Sequence, residues 1–351
     1  MRILHVTECY GGGVGHALNT RVRATPEYEH HLLWCGDEDP DEYEGFTGAR
    51  RLPHGFARRV RAVRDEVRRL RPDVVHAHSS WAGVYTRVLP VDAPVVYEPH
   101  CFKFDDPSLG PLIAAAFRTA ERVLTPRTRR FGTLSPHEDA LVRSLSRRAL
   151  TVRIPNVPTV PMSEKPGDLA AAARKAVMIG RIAPQKDPAF FAEVAQVLRN
   201  APAPLEPVWV GDGDEQATAL LRAAGVRVTG WLQPAQIAEE LDGAVYVHSA
   251  RYEGFPLSVL DAAARHIPIV ARRIPPLADT GILQADTPKA LADLALAAAG
   301  PGEARRRALA TSDALLIAFS TSKLHGALNT LYAAAVEDPR VVDRPVPAMS
   351  R

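Results

Sequence analysis

Lysine, cysteine and long apolar segments are all scarce in this sequence. Of the 43 basic side chains only six are lysines, and the arginine excess suits either a GC-rich coding genome or a surface that binds phosphate groups. The three cysteines show no Cys-x-x-Cys spacing, so they predict neither a disulfide framework nor a zinc site and favour a cytoplasmic protein. No stretch of 18 apolar residues occurs, and the apolar run at the N-terminus is too short for a signal peptide, so we expect no membrane span.

The remaining composition is that of an ordinary globular protein. Apolar residues make up 46% and charged residues 24%, which excludes a fibrous or wholly disordered chain. The net charge of +3 is too small to indicate a nucleic-acid partner. At about 100–200 residues per domain, a length of 351 residues predicts two domains.

Short apolar runs alternate with helical patterns along the chain, which predicts parallel, doubly wound α/β sheets. Apolar side chains on one face predict a helix over residues 56–70, ended by Pro72, and another over 189–199. The apolar runs predict strands at 3–6, 31–34, 74–78, 95–97, 176–179, 208–210, 227–228, 245–248 and 267–270.

Clusters of proline and acidic residues divide the chain. The proline-rich stretch 155–167 predicts the linker between domains, and the six acids between 37 and 44 predict a solvated loop. We therefore expect four parts: an N-terminal domain at 1–160, a C-terminal domain at 161–320, a helix at 321–337 that packs back toward the N-terminal domain, and a loose tail at 338–351. Ligands of such sheets bind beyond the carboxyl ends of strands, so the loops after strands are the candidate sites.

The first candidate is the glycine run at 11–15, directly after the first strand. Consecutive glycines let backbone N–H groups approach an anion next to a helix N-terminus, and we expect that helix from about His16. Because His16 stands where the last glycine of G-x-G-x-x-G would be expected, the run is not a dinucleotide fingerprint. A simple tight turn is the alternative interpretation.

The second candidate, at 180–187, follows the first strand of the second domain. Arg181 and Lys186 flank a proline-containing loop and could converge on one phosphate pair, the arginine as a fork and the lysine as a point charge. Two cations in a loop could equally face solvent. The third candidate, at 249–261, places Glu253 and Asp261 around a helix start, where the N–H groups of residues 254–257 would be available. A carboxylate at such a position can also be a simple cap.

Two other pairs of polar residues are interpreted as structural. Asp212 and Asp214 form an Asp-x-Asp sequence after a strand, which we interpret as a structural turn and not as a metal site. His76 and His78 are expected on opposite faces of a strand end, as structural or cleft-lining residues and not as metal ligands.

The three candidate loops together are more specific than any one alone. The chain resembles the GT-B glycosyltransferases of family 4, a retaining group that uses sugar nucleotides, and the resemblance covers about residues 1–285. It implies two Rossmann-like domains that face a central cleft. The matching stretches, in the order of the family, are the glycine loop 11–15, Pro-His-Cys-Phe at 99–102, Ile-Pro-Asn at 154–156, Gly180-Arg181 with Lys186, Val-Gly-Asp-Gly at 210–213, Gly230-Trp231, and Glu253-x7-Asp261.

The resemblance also implies roles for individual residues. Arg181 and Lys186, next to Gly180, would hold the donor diphosphate, Glu253 would contact the hydroxyls of the transferred sugar, and His100 would face the reacting carbon with its side chain or its backbone carbonyl. The other residues that the resemblance implies for the donor are the backbone at Gly12, Gly13, Gly254, Phe255, Pro256 and Leu257, the base pocket at Trp231 and Leu232, and Asp261 toward the ribose.

Three positions depart from the family pattern. Asp261 replaces the usual glutamate and is one methylene shorter, which affects the ribose contact. Ala263 replaces a methionine, which changes packing. Pro-Asn-Val-Pro at 155–158 replaces Pro-Asn-Gly-Val, so the backbone of the hinge can differ.

Arginines cluster in the N-terminal half. Residues 50–71 contain nine arginines and two acids, and Arg61, Arg64 and Arg68 share one helix face. A solvated face is the simple interpretation. The alternative is peripheral contact of helix 56–70 with an anionic membrane that carries a lipid-linked acceptor, at the inner face of the cell membrane, which pelleting with anionic vesicles at low salt would test.

The resemblance therefore implies a retaining, metal-independent glycosyltransferase without a cofactor. Its donor would be a UDP- or GDP-linked sugar, and its acceptor a hydroxyl of a glycan, a lipid-linked sugar or a small molecule. Trp81, His16 and Asn156 are candidates for contact with that acceptor. A sugar-nucleotide epimerase or hydrolase on the same fold is an alternative, because fold does not fix function. A non-catalytic subunit that binds nucleotide sugar is another.

Overall fold

The computed structural model describes residues 1–36, 45–164, 168–170 and 172–337. The acidic loop predicted at 37–44, the end of the proline-rich stretch at 165–167 and the tail predicted at 338–351 lie outside the described residues. The chain forms two compact units: residues 1–155 with the C-terminal segment from Thr321, and Asn156–Ser320. The division therefore falls at Pro155 and not at residue 160.

The first unit is built on a parallel sheet with the strand order β3-β2-β1-β4-β5-β6-β7. Its strands are β1 (Arg2–Tyr10), β2 (Glu29–Gly36), β3 (Phe46–Arg51), β4 (Val74–His78), β5 (Val95–Glu98), β6 (Arg130–Thr133) and β7 (Thr151–Arg153). The helices between them are α1 (Gly12–Ala24), α2 (Phe56–Leu70), α3 (Ser80–Arg87), α4 (Pro111–Leu124) and α5 (Pro136–Leu145). Residues 3–7 of β1 and the whole of β4 are buried, as in parallel sheets that are covered by helices on both faces, which is why these segments read as largely apolar runs.

The second unit repeats the plan with the strand order β10-β9-β8-β11-β12-β13, again parallel. Its strands are β8 (Lys175–Ile179), β9 (Glu206–Val210), β10 (Arg227–Val228), β11 (Ala244–His248), β12 (Ile269–Arg272) and β13 (Leu283–Ala285). Its helices are α6 (Pro188–Arg199), α7 (Glu215–Ala223), α8 (Pro234–Leu241), α9 (Leu257–Ala264), α10 (Pro288–Ala299) and α11 (Glu303–Ala318).

The last helix, α12 (Thr321–Val336), belongs to the first unit although it follows the second in sequence. Leu324, Leu328, Leu331 and Tyr332 are spaced along one helix face and are fully buried. The Tyr332 hydroxyl lies 3.0 Å from Nδ1 of His76, so this helix contacts the interior of the N-terminal sheet.

Several boundaries differ from the sequence expectation. The first helix begins at Gly12 and not near His16, so the glycine run is the first turn of α1 and not a loop before it. Strand β12 begins at Ile269 and not at residue 267. Strand β3 was missed because it is a largely exposed edge strand without an apolar alternation.

Each sheet has one point at which the chain reverses the order of its strands. In the first unit this point lies between β1 and β4, and in the second between β8 and β11. In open parallel sheets the ligand crevice forms at such a point, outside the carboxyl ends of the strands. The loops after β1, β4, β8 and β11 are therefore the places at which a site is expected.

Candidate functional site

The loops after β8 and β11 bring two of the predicted residues into contact. Nζ of Lys186 lies 2.5 Å from Oε1 of Glu253, and both side chains are largely buried. Gln185 donates to the other carboxylate oxygen of Glu253 over 3.4 Å. Because 67 residues separate Lys186 from Glu253, only the neighbouring positions of β8 and β11 in the sheet place them together.

Glycines make room for this loop. A side chain at Gly180 would place its Cβ 2.8 Å from Cε of Lys186, so the glycine allows the lysine to lie across the loop. A Cβ at Gly211 or Gly213 would lie 2.2 Å from a backbone oxygen of the 180–182 segment. Asp214 caps α7 and Asp212 accepts from the N–H of Gly213, so the Asp-x-Asp sequence forms the structural turn that we expected.

Asp187 anchors the end of the loop. It caps α6 by accepting from the N–H of Phe190, and it pairs with Arg251 and Arg272 over 2.7 Å each. Burial alone would raise the pKa of Asp187, but the hydrogen bonds from the two guanidinium groups outweigh it and lower the pKa below its usual value. Arg181 is exposed at the start of the same loop.

Sequence reasoning missed a buried polar group behind this pair. Nε2 of His248 lies 3.8 Å from Oε1 of Glu253 and has no hydrogen-bond partner among the described residues. Its Nδ1 contacts the Tyr246 hydroxyl, which donates to Ser258. Burial, and then the charge of Lys186, lower the pKa of His248 well below its usual value, so the ring is neutral. The signal available in the sequence was a histidine at the carboxyl end of an apolar strand.

Helix α9 begins at Leu257, four residues after Glu253. The intervening residues Gly254, Phe255 and Pro256 are buried. The carboxylate of Asp261, one turn further, accepts from the N–H of Thr159 over 2.6 Å and from its hydroxyl. Burial raises the pKa of Asp261 to about 6. In this structure Asp261 fastens the segment after Pro158 to α9, so a ribose would have to replace Thr159 as its partner.

The other residues predicted near this site lie at different depths. Asn156 is buried and donates to the carbonyl oxygen of Phe255 over 2.9 Å, within the second unit, and its contact with an acceptor stays a prediction. Trp231 is 60% exposed, and Leu232 follows it. A backbone bridge between Gly211 and Gly230 holds this segment beside the carboxyl end of β9.

At the carboxyl end of β1, the glycine run opens α1. Gly12 has a φ of 50°, and a Cβ on Gly12 or Gly13 would meet open space. The N-cap residue is Gly11, which has no side chain to cap the helix, and the first turn holds no acidic residue. Anion binding at the first turn of α1 stays a prediction. His16 is exposed one turn further along.

Glu8, which sequence reasoning missed, caps α3. Its carboxylate accepts from the Ser79 hydroxyl over 2.7 Å and from the N–H groups of Trp81 and Ala82. Burial raises the pKa of Glu8 above its usual value despite these hydrogen bonds. Trp81 is 49% exposed beside it, stacked near Tyr85 and edge-on to Phe56. Phe56, expected on the buried face of α2, is thus half-exposed in an aromatic pair with Trp81.

His100, directly after β5, is strained and turned inward. Its φ is 52° and that of Cys101 is 93°, left-handed values that cost about 1–3 kcal/mol each in residues other than glycine. The side chain is only 5% exposed, whereas the residue as a whole is half-buried, so the main chain provides most of its surface. Of the two alternatives for His100, this geometry favours the backbone.

The expectation that His76 and His78 lie on opposite faces of β4 was wrong. Residues two apart in a strand share a face, and the ring centroids lie 4.0 Å apart. Both rings are fully buried and pack with His5. One ligand atom from each of these three histidines lies within 4.8 Å of the others, and the same holds for His78, Glu98 and His100.

The arginine face of α2 is partly neutralised. Arg61 and Arg68 each lie 3.6 Å from a carboxylate oxygen of Asp65, and Arg50 and Arg69 pair with Glu66. The Arg61 side chain is 85% exposed. These are the ion pairs of an ordinary solvated helix face, and membrane contact through α2 stays a prediction. Within the described residues, no helix is both long and apolar enough to cross a bilayer.

Two family models match successive stretches of the chain. Residues 6–157 match the glycosyl transferase 4-like domain, and residues 173–299 match the glycosyl transferases group 1. The chain belongs to the group 1 glycosyltransferases of the GT-B fold. The first model covers the β1 to β7 sheet, and the second covers the loops of Lys186 and Glu253.

Solved GT-B structures share the fold across nearly the whole chain. HepE of Anabaena in complex with UDP superposes with a TM-score of 0.73 at 15% identity, covering 95% of this chain and 100% of that chain. The pneumococcal O-GlcNAc transferase GtfA, in complex with UDP and GlcNAc, gives 0.72 at 11% identity, covering 96% and 99%. The sucrose-phosphate synthase of Thermosynechococcus elongatus gives 0.64 at 15% identity, covering 97% and 98%. No curated protein matches this glycosyltransferase significantly in sequence.

Proposed function

We propose that this glycosyltransferase moves a sugar from a nucleotide diphosphate to a hydroxyl acceptor, with retention and without a metal ion, as in family 4. The observation that carries the proposal is the pair of Lys186 and Glu253 at the end of β8 and β11, directly before the N-terminus of α9. A cation, a carboxylate and a helix N-terminus are the groups that a diphosphate and the hydroxyls of a sugar require. Two of the three solved neighbours named above are complexes with UDP, which favours UDP over GDP in this proposal.

In this proposal, binding of the donor replaces the contact between Lys186 and Glu253. Lys186 leaves Glu253 and, with Arg181, binds the diphosphate, which frees the Glu253 carboxylate to accept from the sugar hydroxyls. When the bond between the anomeric carbon and the phosphate oxygen breaks, the electron pair stays on that oxygen and the two cations stabilise it. They supply the positive charge that a metal ion would otherwise bring.

Retention then follows from attack on the same face within the ion pair. The acceptor oxygen bonds to the anomeric carbon while its proton passes to the departing phosphate, so no protein nucleophile is needed. We further propose that backbone N–H groups at Gly12 and Gly13 contact the donor phosphates and that the main chain at His100 stabilises the developing positive charge. Trp231 and Leu232 stack on the base.

We place the acceptor at the exposed aromatic pair of Trp81 and Phe56, beside Glu8. Aromatic faces bind the apolar faces of sugar rings, and Trp81 is half-exposed at the carboxyl end of β4. Trp81→Ala is expected to raise the acceptor KM about tenfold and to leave the donor KM unchanged. Trp231→Ala is the matched control and should do the reverse. Equal effects of both variants on both KM values would contradict the placement of donor and acceptor on different units.

The donor is identified by thermal shift with a panel of nucleoside diphosphates and their sugars. A ligand at one hundred times its Kd stabilises the folded protein by about 2.7 kcal/mol, so the correct nucleotide raises Tm by several degrees. We expect UDP and UDP-sugars to raise Tm and inosine diphosphate to serve as the weak control. Release of free sugar without an acceptor would favour the hydrolase alternative, and binding without any turnover would favour the non-catalytic subunit.

A further inference from the structure

Four histidines of the first unit form one continuous chain of hydrogen bonds. Nδ1 of His30 lies 3.0 Å from Nε2 of His5, Nδ1 of His5 lies 3.0 Å from Nε2 of His78, and Nδ1 of His78 lies 3.1 Å from Nε2 of His100. The chain runs through β2, β1 and β4 to the loop after β5. Three of the rings are fully buried, and that of His100 is 5% exposed.

The contacts run head to tail, which fixes the tautomers relative to one another. Each contact joins an Nδ1 to an Nε2, and each needs one proton between the two nitrogens. A neutral ring carries one proton, so if one ring is protonated at Nε2, its neighbours must be as well. Burial lowers the pKa of His5 and His78 well below the usual value and that of His100 to about 4, so the rings are neutral at pH 7.

The first ring of the chain decides which tautomer is present. Nε2 of His30 lies 2.9 Å from the carbonyl oxygen of Thr25, which can only accept, so His30 donates from Nε2. At the other end, Nδ1 of His100 lies 3.6 Å from Oε1 of Glu98, too far for a hydrogen bond. Glu98 pairs with Arg21, whose Nε lies 2.8 Å from Oε2. Because Arg21 compensates the negative charge of Glu98, this carboxylate does not require a proton on the neighbouring Nδ1 of His100.

We infer that His78, supported by His5 and His30, is a positioning residue that accepts the ring N–H of His100 and thereby holds the strained His100–Cys101 main chain at the reaction site. The last clause rests on the proposed function. A buried carboxylate also holds this turn, because Glu138 accepts from the N–H of Cys101 over 2.8 Å and from that of Leu134. The left-handed turn is thus fastened through the His100 ring on one side and through the Cys101 N–H on the other.

A metal ion would require a different arrangement of the same rings. Nδ1 of His5 and Nε2 of His78 share a proton over 3.0 Å, and a nitrogen that binds a metal ion carries no proton, so these two nitrogens could not both be ligands while this hydrogen bond is present. The Arg21 guanidinium beside Glu98 would repel a cation in this fully buried space. The hydrogen-bonded chain therefore fits the residues better than a metal centre does.

The tautomers are measured by NMR of the full chain with ¹⁵N-labelled histidine, without substrate at pH 7.5, and with ring signals assigned by single His→Gln variants. All four rings should be neutral and protonated at Nε2. The inference would be overturned by a mixture of tautomers, by protonation of all four rings at Nδ1, or by a stoichiometric transition metal in the purified protein. This result does not depend on activity, so it stands even if no nucleotide sugar proves to be a donor.

The positioning role is tested by His78→Leu against His76→Leu. Both histidines are buried on the same face of β4, but only His78 contacts His100. At a temperature at which both variants are folded, His78→Leu should lower kcat about tenfold with the donor KM within twofold, and His76→Leu should leave kcat within twofold. Equal losses, or full activity of His78→Leu, would refute the role. His78→Gln, whose amide can accept from one ring and donate to the next, should restore most of the kcat.

Discussion

Replacing Lys186 by methionine is expected to lower kcat/KM for sugar transfer by about 10²- to 10³-fold, the usual cost of removing one preorganised group that stabilises charge in the transition state. Methionine keeps most of the length and volume of the side chain across Gly180 and removes only the charge. The loss should fall mainly on kcat, because the departing phosphate gains negative charge as the sugar leaves. Initial rates with the donor from the thermal-shift panel measure it.

Lys175→Met is the matched control. Lys175 begins the same strand, β8, at its amino end and pairs with Glu240 over 3.3 Å, away from the loop of Lys186. The Lys175→Met variant should keep wild-type kinetics and show only the small loss of stability from a partly exposed ion pair. If Lys186→Met is folded and turns over within threefold of the wild type, the assignment of the donor site is wrong.

Acidification from pH 7.5 to 5.5 is expected to destabilise the first unit by about 2 kcal/mol or more. The pKa values of buried His5, His78 and His100 are lowered, that of His100 to about 4, so these rings stay neutral while unfolded histidines bind protons below pH 6.5. A lowered pKa gives stability that is present at high pH and is lost as the pH falls through the unfolded value. Each such ring then costs about 1.4 kcal/mol at pH 5.5, and His30 and His76 act in the same direction.

Glu138 opposes this loss. Burial raises its pKa to about 7, so the folded protein binds a proton there before the unfolded chain does, and acidification adds about 2 kcal/mol of stability through this group. Glu138→Gln should therefore steepen the acid loss. Amide hydrogen exchange in β1 and β4 at the two pH values measures both effects, with His54→Ala, at an exposed position, as the control. Equal protection of the Glu138→Gln variant at pH 7.5 and 5.5 would show that the buried rings titrate normally.

Much of the candidate site followed from local sequence patterns. A strand followed by a loop with Arg181 and Lys186, and a strand followed by Glu253 and a helix, are readable because strand and helix periods are local properties. The predicted strands at 74–78 and 227–228 coincide with β4 and β10. The edge strand β3 escaped, because its side chains face solvent and show no period.

The hydrogen-bond partners of the site residues could not be predicted from the sequence. The family resemblance implied a ribose contact for Asp261, whereas in this structure its oxygens accept from Thr159, 102 residues away. Glu8 gave no signal, because a carboxylate in an apolar strand is explained only by the α3 N-terminus that it caps. His76 and His78 were visible as a pair, but the contacts of His78 with His5 and His100 depend on three strands being neighbours.

The sequence by itself determined that two parallel α/β sheets would form and which loops would follow their strands, because apolar periodicity dictates what must be buried. Only the tertiary structure decided that Lys186 would pair with Glu253, that four histidines would form one hydrogen-bonded chain, and that His100 would turn its ring inward. Those outcomes depend on strand order and on the low polarity of the interior, where most buried polar groups are hydrogen-bonded and their partners can be distant in the sequence.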